Sequence, residues 1–378
     1  MDMNNMDNNL SSFYAGKTVL VTGNTGFKGS WLCAWLDQLG AKVVGFALEP
    51  PGQPNNFEAS RLIDRITHVN GNVCNREEVG RCFDQAKPDV VLHLAAQALV
   101  RQSYDDPVET FDANVMGTVN VLDAARHCGS VKAVVSITSD KCYRNQNWIW
   151  GYRENDELGG YDPYSASKAC SELVVRCYSD SRFQKVTGFD EFLPIASTRA
   201  GNVIGGGDWA RDRIIPDIVR AIVNEEDIVI RSPNATRPWQ HVLEPLSGYL
   251  WLAAKMAEDP EKYLGGWNFG PADEDMWTVE AMVSELLKRW GPANTALKIE
   301  EDSSGAESKL LRLDCTKAQE YLGWRAIWSV TEALDAISDW YKAFLHEPGR
   351  DMYPVVISQI NQYTNRAAEK GLTWATKS

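Results

Sequence analysis

The stretch Val19-Leu-Val-Thr-Gly23-Asn-Thr-Gly26-Phe-Lys-Gly29-Ser-Trp31 predicts a β-strand, a glycine-rich loop and the first turn of a helix. Gly23 allows a tight turn, Gly26 allows the backbone to approach a pyrophosphate closely, and Gly29 allows the helix to pack closely on the strand. The helix N-terminus then directs free N–H groups and the positive end of its dipole at the phosphates. Because a β-branched strand precedes the glycines, the stretch indicates a dinucleotide-binding βαβ unit.

Short β-branched runs alternate with helical patterns in the first half of the chain, which is typical of a parallel α/β sheet. The pattern predicts strands at residues 17–22, 43–48, 68–73, 90–96, 133–138 and 195–198. It predicts helices at residues 28–39, 112–127 and 164–179. Beyond Val203 it predicts loops at 205–208 and 231–239 and amphipathic helices at 246–257 and 279–290. We therefore predict the α/β class, a Rossmann-type doubly wound parallel sheet with a smaller mixed α/β substrate lobe.

The change of pattern after Val203 also predicts the domain organisation. The first residues are polar and Asn-rich and lack the apolar segment of a signal peptide, so we expect a flexible leader at 1–14. The dinucleotide-binding domain is predicted at 15–203, with part of the 230–270 region returning to it. The substrate lobe is predicted mainly at 204–346, and a C-terminal extension at 347–378.

Composition excludes several classes of function. The formal net charge of −13 over 378 residues argues against non-specific binding to nucleic acid or to an anionic membrane. The eight Cys form no C-x-x-C pair, so we expect no metal site and reduced thiols, as in the cytoplasm. No apolar run approaches the roughly eighteen residues that span a bilayer, so no membrane partner is expected.

The stretch Tyr164-Ser-Ala-Ser-Lys168 places a phenol and an ammonium four residues apart. On a helix these side chains share a face, and the ammonium is expected to lower the phenol pKa from about 10, which suits a base for a sugar hydroxyl. The spacing alone is common on solvated helices. Ser139-Asp140-Lys141, alone, is typical of a polar turn. Because it ends a predicted central strand upstream of Tyr164, the catalytic interpretation of both stretches is favoured.

Further cofactor contacts are predicted at the ends of the first four strands. No Arg follows the second strand to receive a 2′-phosphate, and Glu49 comes late for a ribose, which favours NAD over NADP. Lys28 has two open interpretations, contact with the phosphates or with solvent. The predicted cofactor-binding residues are Gly23, Thr25, Gly26, Phe27, Lys28, Gly29, Asn72, Val73, Leu94, Ala95, Ala96, Tyr164 and Lys168.

In order and spacing these motifs resemble those of the extended short-chain dehydrogenase/reductase superfamily. Its pattern is matched by Thr-Gly-x-x-Gly-x-x-Gly at 22–29, His-Leu-Ala-Ala at 93–96, Ser139, Tyr164-x-x-x-Lys168 and the Leu-Asp-x-x-Lys-Ala segment that starts at 313. Within the superfamily, the segments 25–31, 138–143 and 237–246 are most similar to nucleotide-sugar 4,6-dehydratases of the cytidine branch. The resemblance covers about residues 15 to 345.

The resemblance implies roles for five catalytic residues. Tyr164 would remove the C4 hydroxyl proton while NAD accepts the C4 hydride, Lys168 would hold the nicotinamide ribose, and Ser139 would donate to the C4 oxygen. Asp140 would be the acid at C6, and return of the hydride to C6 would give a 4-keto-6-deoxy sugar. Lys141 stands where thymidine-nucleotide relatives have Glu, so a neutral C5 base and a cation that stabilises the enolate both remain open. A 4-epimerase is the alternative, but related epimerases carry small neutral residues at the Asp140 position.

The resemblance further implies CDP-glucose as the substrate, with another nucleotide sugar as the alternative. It places Arg101 and Tyr104 near the sugar and Asn202 near the diphosphate. Guanidinium groups suit phosphate oxygens, and Trp239 is left open between stacking on the pyrimidine and core packing. The candidates for the diphosphate or base are Arg211, Arg231, Arg237 and Trp239.

The resemblance also implies a biological setting. The product would serve deoxysugar biosynthesis for the O-antigen of lipopolysaccharide. By analogy, helices near 107–127 and 164–180 would pair copies of the chain into a homodimer or homotetramer. A non-catalytic dinucleotide-sensing protein on the same fold is the alternative from another class, and the presence of Ser139, Tyr164 and Lys168 together argues against it.

Overall fold

The computed structural model describes residues 9–186, 192–272, 275–291, 295–299 and 310–376. The strands in these ranges are β1 Thr18–Thr22, β2 Lys42–Ala47, β3 Thr67–Asn70, β4 Val90–His93, β5 Ala133–Ile137, β6 Ile195–Arg199, β7 Val203–Ile204, β8 Ile228–Ile230, β9 Thr236–Pro238, β10 Gln240–His241, β11 Gly265–Asn268, β12 Met276–Thr278 and β13 Leu297–Ile299. The helices are α1 Leu10–Tyr14, α2 Phe27–Gln38, α3 Asn56–Ala59, α4 Arg76–Ala86, α5 Val100–Asp105, α6 Pro107–Phe111, α7 Gly117–His127, α8 Pro163–Tyr178, α9 Ser181–Val186, α10 Ile214–Val223, α11 Leu243–Glu258, α12 Val279–Trp290, α13 Thr316–Leu322, α14 Val330–His346 and α15 Tyr353–Glu369.

A seven-stranded parallel sheet forms the centre of the fold, with strand order β11-β6-β5-β4-β1-β2-β3. The order reverses between β1 and β4, and doubly wound sheets bind ligands at the carboxyl ends of strands beside such a reversal. In the register of the sheet, Thr22 lies opposite Phe46 on β2 and His93 on β4. The glycine loop therefore leaves the sheet at the same level as residues 94–96. This architecture confirms the predicted fold class.

Two apolar layers cover the faces of the sheet. The larger one contains α2, α11, α14 and α15, and the smaller one contains α4, α7 and α8. Trp31 and Trp35 on α2 are both buried, and Trp35 meets Tyr363 of α15 edge to face with ring centroids 5.9 Å apart. Such aromatic contacts bury a large apolar area for each residue. Within the described ranges, no helix is both long and apolar enough to cross a bilayer.

The chain differs from the predictions in three places. The helix expected from residue 112 begins with a π-helical turn over residues 112–116 before α7. The segment 231–239, predicted as a loop, contains β9, which pairs antiparallel with β12 about forty residues later. A three-residue strand has too few positions to show alternation, so only its distant partner reveals it.

The third difference concerns residues 9–14, which were expected to belong to a flexible leader at 1–14. They form the capped helix α1 instead. Asn9 caps α1 through a capping box, and Leu10 and Tyr14 are buried in the larger apolar layer. The hydroxyl of Tyr14 donates to the carbonyl oxygen of Leu250 on α11 at 2.9 Å. Burial of these two side chains fixes the segment to the fold. Residues 1–8 lie outside the described ranges.

A buried carboxylate joins the region predicted as the C-terminal extension to the rest of the fold. Glu244 on α11 accepts hydrogen bonds from the backbone N–H groups of Ile327 and Trp328 and from the hydroxyl of Tyr363 on α15, at 2.7 to 3.0 Å. Because all of these groups are shielded from water, the carboxylate satisfies donors that would otherwise lack an acceptor.

We expect Glu244→Ala to lower the free energy of unfolding by about 3 kcal/mol, because it leaves two buried backbone N–H groups without an acceptor and removes one acceptor of the Tyr363 phenol. Chemical denaturation followed by tryptophan fluorescence measures the change. The control is Glu369→Ala at the exposed end of α15, where the carboxylate pairs with Arg366 at 3.3 Å and removal should change stability by less than about 0.5 kcal/mol. Equal stability of the two variants would contradict the role of Glu244.

Candidate active site

The glycine loop between β1 and α2 fits the pyrophosphate of a dinucleotide. Gly23 has φ +73°, and a Cβ there would lie 2.8 Å from the backbone nitrogen of Ala95. A Cβ on Gly29 would lie 2.1 Å from the carbonyl oxygen of Gly23. Gly26 caps α2 without a side-chain hydrogen bond, so the first N–H groups of the helix are available to an anion. Both glycines with close contacts are therefore required for the loop geometry, which matches the sequence prediction.

We expect two alanine substitutions in this loop to separate folding from cofactor binding. Gly26→Ala adds a Cβ 3.3 Å from one carbonyl oxygen, so the protein should fold normally but bind NAD at least about tenfold more weakly, because the methyl covers the approach to the phosphates. Gly29→Ala forces the loop apart and should lower the free energy of unfolding by about 2 kcal/mol. Calorimetric NAD titration and thermal unfolding measure the two effects. Full NAD affinity in Gly26→Ala would exclude this loop as the phosphate site.

The other predicted cofactor residues lie along the same edge of the sheet. Thr25 is buried and its hydroxyl donates to the carbonyl oxygen of Leu48 at the end of β2, at 2.9 Å. Val73 is buried, whereas the exposed Asn72 accepts a hydrogen bond from the backbone of Cys74 at 3.0 Å. Half-buried positions at this edge are Phe27, Lys28, Leu94, Ala95 and Ala96.

The start of α8 places Tyr164 and Lys168 against the end of β5. Asp162 caps the helix by accepting from the backbone of Ser165 at 2.9 Å, and Pro163 occupies the first helical position. Tyr164 and Lys168 are both buried, and the hydroxyl of Ser139 hydrogen-bonds the phenol. Tyr164 and Lys168, spaced by four residues on α8, therefore both lie buried at the end of β5.

The expected lowering of the phenol pKa is wrong. Burial raises the pKa of Tyr164 to about 12, and the hydrogen bond with Ser139 and the charge of Arg213 only partly oppose this rise. The Nζ of Lys168 donates instead to the carbonyl oxygen of Ile137 at 3.4 Å. Burial has the larger effect because the free energy lost on removing the phenolate from water exceeds the stabilisation that these neighbouring groups provide.

Asp140 lies in a buried position suited to a proton donor. It begins a 3₁₀ turn that Ser139 caps, and it accepts a hydrogen bond from the Ser139 hydroxyl at 3.0 Å. Burial raises the pKa of Asp140, although the nearby cations Lys141 and Lys28 oppose the rise. A Cβ on Gly201 would lie 1.8 Å from a carboxylate oxygen of Asp140, so the absence of a side chain there makes room for the acid. Lys141 itself is exposed at its neighbouring position.

Two cations from elements far apart in the sequence lie near the candidate catalytic residues. Lys28, for which the sequence allows either phosphate or solvent, is half-buried and interacts electrostatically with Asp140, Lys168 and Arg213. Burial lowers the pKa of Lys28 to about 8. Arg213 precedes α10, pairs with Asp208 at 2.9 Å and lies close enough to Tyr164 to affect its charge. Sequence analysis missed Arg213, because Arg211-Asp-Arg213 gives no signal for which guanidinium turns inward.

Sequence analysis also missed Asn114, in the π-helical turn before α7. Its Nδ2 donates to the hydroxyl of Ser167 at 2.8 Å and to the carbonyl oxygen of Gln97 at 3.0 Å. Within the described ranges its buried Oδ1 has no hydrogen-bond partner. The only available signal was an Asn inside an apolar helical pattern, which costs helix stability and therefore suggests another role.

The predicted substrate residues are less closely grouped. Arg101 is exposed and pairs with Asp212 at 2.9 Å, and Tyr104, Arg211 and Arg231 are exposed as well.

The remaining three lie after β6 and on β9 and its continuation. Asn202 is half-buried with a left-handed φ of 47°, and Arg237 is half-buried on β9. Trp239 is buried in the core, and its Nε1 donates to the carbonyl oxygen of Trp277 at 3.1 Å. Of the two interpretations of Trp239, core packing is the one observed. The prediction that its ring stacks on the pyrimidine is wrong, because the ring is buried.

Comparisons with known proteins agree with this geometry. A family model described as GDP-mannose 4,6 dehydratase matches residues 20–337. The chain is 48% identical to a CDP-glucose 4,6-dehydratase of Salmonella typhimurium over 352 residues, which cover 93% of this chain and 97% of that relative.

Solved structures are similar in fold at lower identity. A UDP-glucose-4-epimerase from Stenotrophomonas maltophila, solved with NAD and formylated UDP-arabinopyranose, has a TM-score of 0.75 at 22% identity and covers 87% of this chain and 99% of that chain. A dTDP-glucose 4,6-dehydratase from Bacillus anthracis, solved with NAD, has a TM-score of 0.70 at 19% identity and covers 87% of this chain and 97% of that chain. At these identities the likeness shows the fold alone.

Proposed function

The chain belongs to the GDP-mannose 4,6-dehydratase family, within the extended short-chain dehydrogenase/reductases, and from this premise we propose that it converts CDP-glucose to CDP-4-keto-6-deoxyglucose and water. The assignment of the substrate is supported by the 48% identity, over nearly the full length of both chains, to a CDP-glucose 4,6-dehydratase. The buried Asp140 beside Ser139 supports a reaction that expels water, since burial raises the pKa of its carboxyl and so favours the protonated form that can donate.

The cofactor of the proposed reaction is NAD, held by the glycine loop and by residues 94–96. When bound, NAD supplies a two-electron acceptor and donor, so the sugar is oxidised at C4 and later reduced at C6 without an outside oxidant. The close contacts of Gly23 and Gly29 and the uncapped N-terminus of α2 support this assignment. The acidic Glu49 at the end of β2 is held by Asn70 of β3, and neither is a cation for a 2′-phosphate.

In the oxidation at C4, Tyr164 takes the hydroxyl proton and Ser139 donates a hydrogen bond to the C4 oxygen. Lys168 lies on the same face of α8 and holds the ribose of the cofactor. The pKa of Tyr164, raised by burial to about 12, means that the phenolate is a minor form at neutral pH. The base is therefore strong once formed, and nearby cations such as Arg213 favour its formation.

In the elimination, the C4 ketone acidifies the proton at C5, a base takes that proton, and Asp140 donates its own proton to the C6 hydroxyl, which leaves as water. The raised pKa of Asp140 supports this role because the acid must carry a proton when the substrate binds. Lys141 stays the predicted C5 base or enolate-stabilising cation. Lys28 interacts with the same carboxyl and adds a cation where negative charge develops.

Substrate binding is proposed at the cationic side of the site. Arg213 faces Tyr164 and provides a planar donor for the diphosphate within an acidic protein. The other substrate contacts stay predictions at Arg101, Tyr104, Asn202, Arg211, Arg231 and Arg237.

Assembly and setting are also part of the proposal. The two helical regions expected to pair copies of the chain carry exposed apolar side chains. These are Val108 and Met116, which precede α7, and Leu173 on α8. This supports a homodimer or homotetramer. The proposed role is to supply deoxysugar precursors for O-antigen in the cytoplasm.

The test is incubation of the purified protein with CDP-glucose, with and without added NAD, followed by the mass of the product. We expect loss of the mass of one water, with NAD required or already bound. Parallel incubations with UDP-, GDP- and dTDP-glucose test which nucleobase the enzyme accepts. Turnover confined to one of these donors would refute CDP-glucose as the substrate. A product of unchanged mass would indicate an epimerase.

A further inference from the structure

Glu172 lies one helical turn after Lys168 on α8, and its carboxylate is buried at the ends of β5 and β6. The hydroxyl of Thr138 donates to one carboxylate oxygen. Ser197 and Arg199 donate to the other at 2.7 and 2.6 Å. These donors come from two neighbouring strands, so the carboxylate joins α8 to both of them.

The contacts define how α8 sits on the catalytic strand end. Positions 164, 168 and 172 of α8 are spaced by four, and each contacts one member of the run 137–139, where β5 ends. Residues spaced by four lie on one face of a helix. A slip of the helix by one residue would break all three contacts together. The contact at Glu172 therefore helps to set the position of the two catalytic side chains above it.

Arg199, the charged partner of Glu172, is buried and held by further hydrogen bonds. Only 2% of the Arg199 side chain and 3% of the Glu172 side chain are exposed. Arg199 also donates to the hydroxyl of Tyr143 at 2.6 Å and to the carbonyl oxygen of Glu154 at 3.1 Å. Burying two charges costs desolvation energy that well-packed apolar residues would avoid, so such a pair is weak evidence for stability. Its presence beside the catalytic lysine suggests a role for its charge.

We propose that Glu172, held by Arg199, is a positioning residue that fixes α8 on the end of β5 and keeps the ammonium of Lys168 charged. This inference rests on the proposed function, in which Lys168 acts as a cation next to Tyr164. The titratable groups that face Lys168 are Glu172 from α8, Cys142 from the turn after β5, His93 from β4 and Lys28 from α2.

The sign of the charge effect follows from these groups. Burial lowers the pKa of Lys168 to about 8, and Glu172 opposes the lowering. The buried His93 is neutral at physiological pH, because burial lowers its pKa to about 3. Without the carboxylate of Glu172 the pKa of Lys168 falls further, so the ammonium is lost at a lower pH as the pH rises.

The test is the double variant Glu172→Gln/Arg199→Met, which removes both charges and leaves neither one buried alone. An NMR pH titration of lysine ε-carbons, with the Lys168 signal assigned by its loss in Lys168→Met, needs no substrate. We expect the midpoint of Lys168 to fall by about one pH unit. The alkaline limb of kcat should fall by the same amount. Ser197→Ala, which removes a hydrogen bond to Glu172 but keeps its charge, should leave both unchanged.

A wild-type midpoint in the double variant overturns the charge role, whatever substrate the protein turns over. Glu172→Asp keeps the ion pair with a shorter side chain and tests the register separately. We expect about a tenfold lower kcat with an unchanged alkaline limb, because the contacts to Thr138 and Arg199 lengthen. An unchanged kcat overturns the positioning role. Absence of any CDP-glucose turnover in the wild type would refute the proposed function, and the NMR titration would still decide the charge role.

Discussion

Tyr164→Phe is expected to lower kcat by about a thousandfold or more, the upper range for removal of a general base. The variant lacks only the phenol oxygen, whose pKa of about 12 makes it a strong proton acceptor when deprotonated. In the wild type, we expect turnover on the acid side to rise with pH, because the phenolate fraction increases tenfold per unit below its pKa. The residual turnover of the variant should lose this rise. Steady-state kinetics across pH measure both effects.

The control for Tyr164→Phe is a tyrosine on the same segment. Tyr161 lies three residues earlier, is 82% exposed and hydrogen-bonds Arg144 outside the site. Tyr161→Phe should keep wild-type turnover. NAD affinity should stay within about twofold in both variants, since the glycine loop is untouched. Turnover of Tyr164→Phe within about tenfold of the wild type would refute its role as the base.

Asp140→Asn should slow the loss of water by about a hundredfold while oxidation at C4 survives. The amide keeps the shape of the carboxyl and its contact with Ser139 but has no acidic proton for the leaving hydroxyl. In a single turnover, we expect the near-ultraviolet absorbance of reduced nicotinamide to build up and persist. In the wild type it should decay as product forms. Stopped-flow absorbance and product mass measure the two steps.

Asp156→Asn is the matched control, because its carboxylate lies on the same connection between β5 and α8 but pairs with Arg153 at 3.4 Å. It should not alter either step. Unaltered water loss in Asp140→Asn would exclude Asp140 as the acid and leave the reaction type to be explained by another proton donor. Loss of C4 oxidation as well would indicate that the carboxyl is needed to hold the substrate.

The local patterns of the chain were sufficient for the fold class. Short β-branched runs, helical patterns and the three glycines predicted the strands of the parallel sheet up to β6 and the loop at the end of β1. The sequence alone also paired Tyr164 with Lys168, since a spacing of four is a property of any helix. It placed Ser139 and Asp140 at the end of a central strand, where parallel sheets gather functional side chains.

Contacts between distant segments were not predictable in the same way. The π-helical turn at 112–116, the short β9 and the buried helix α1 depend on partners far along the chain. The exposed or core positions of Arg211 and Trp239 likewise depend on which side of a loop or strand faces the site. The sequence gives residue types at these positions but not the direction of their side chains.

The sequence by itself determined which chemical groups stand at the rim of the sheet, because the positions of strands along the chain and the spacing of residues on a helix follow from local patterns. Only the tertiary structure decided the ionisation of these groups and which side chains lie next to them. Burial raises the pKa of Tyr164, Lys28 and Arg213 turn inward, and Glu172 meets Arg199 beneath Lys168. The physical reason is that desolvation and charge pairing depend on everything packed around a group, and most of that packing comes from residues far away in the sequence.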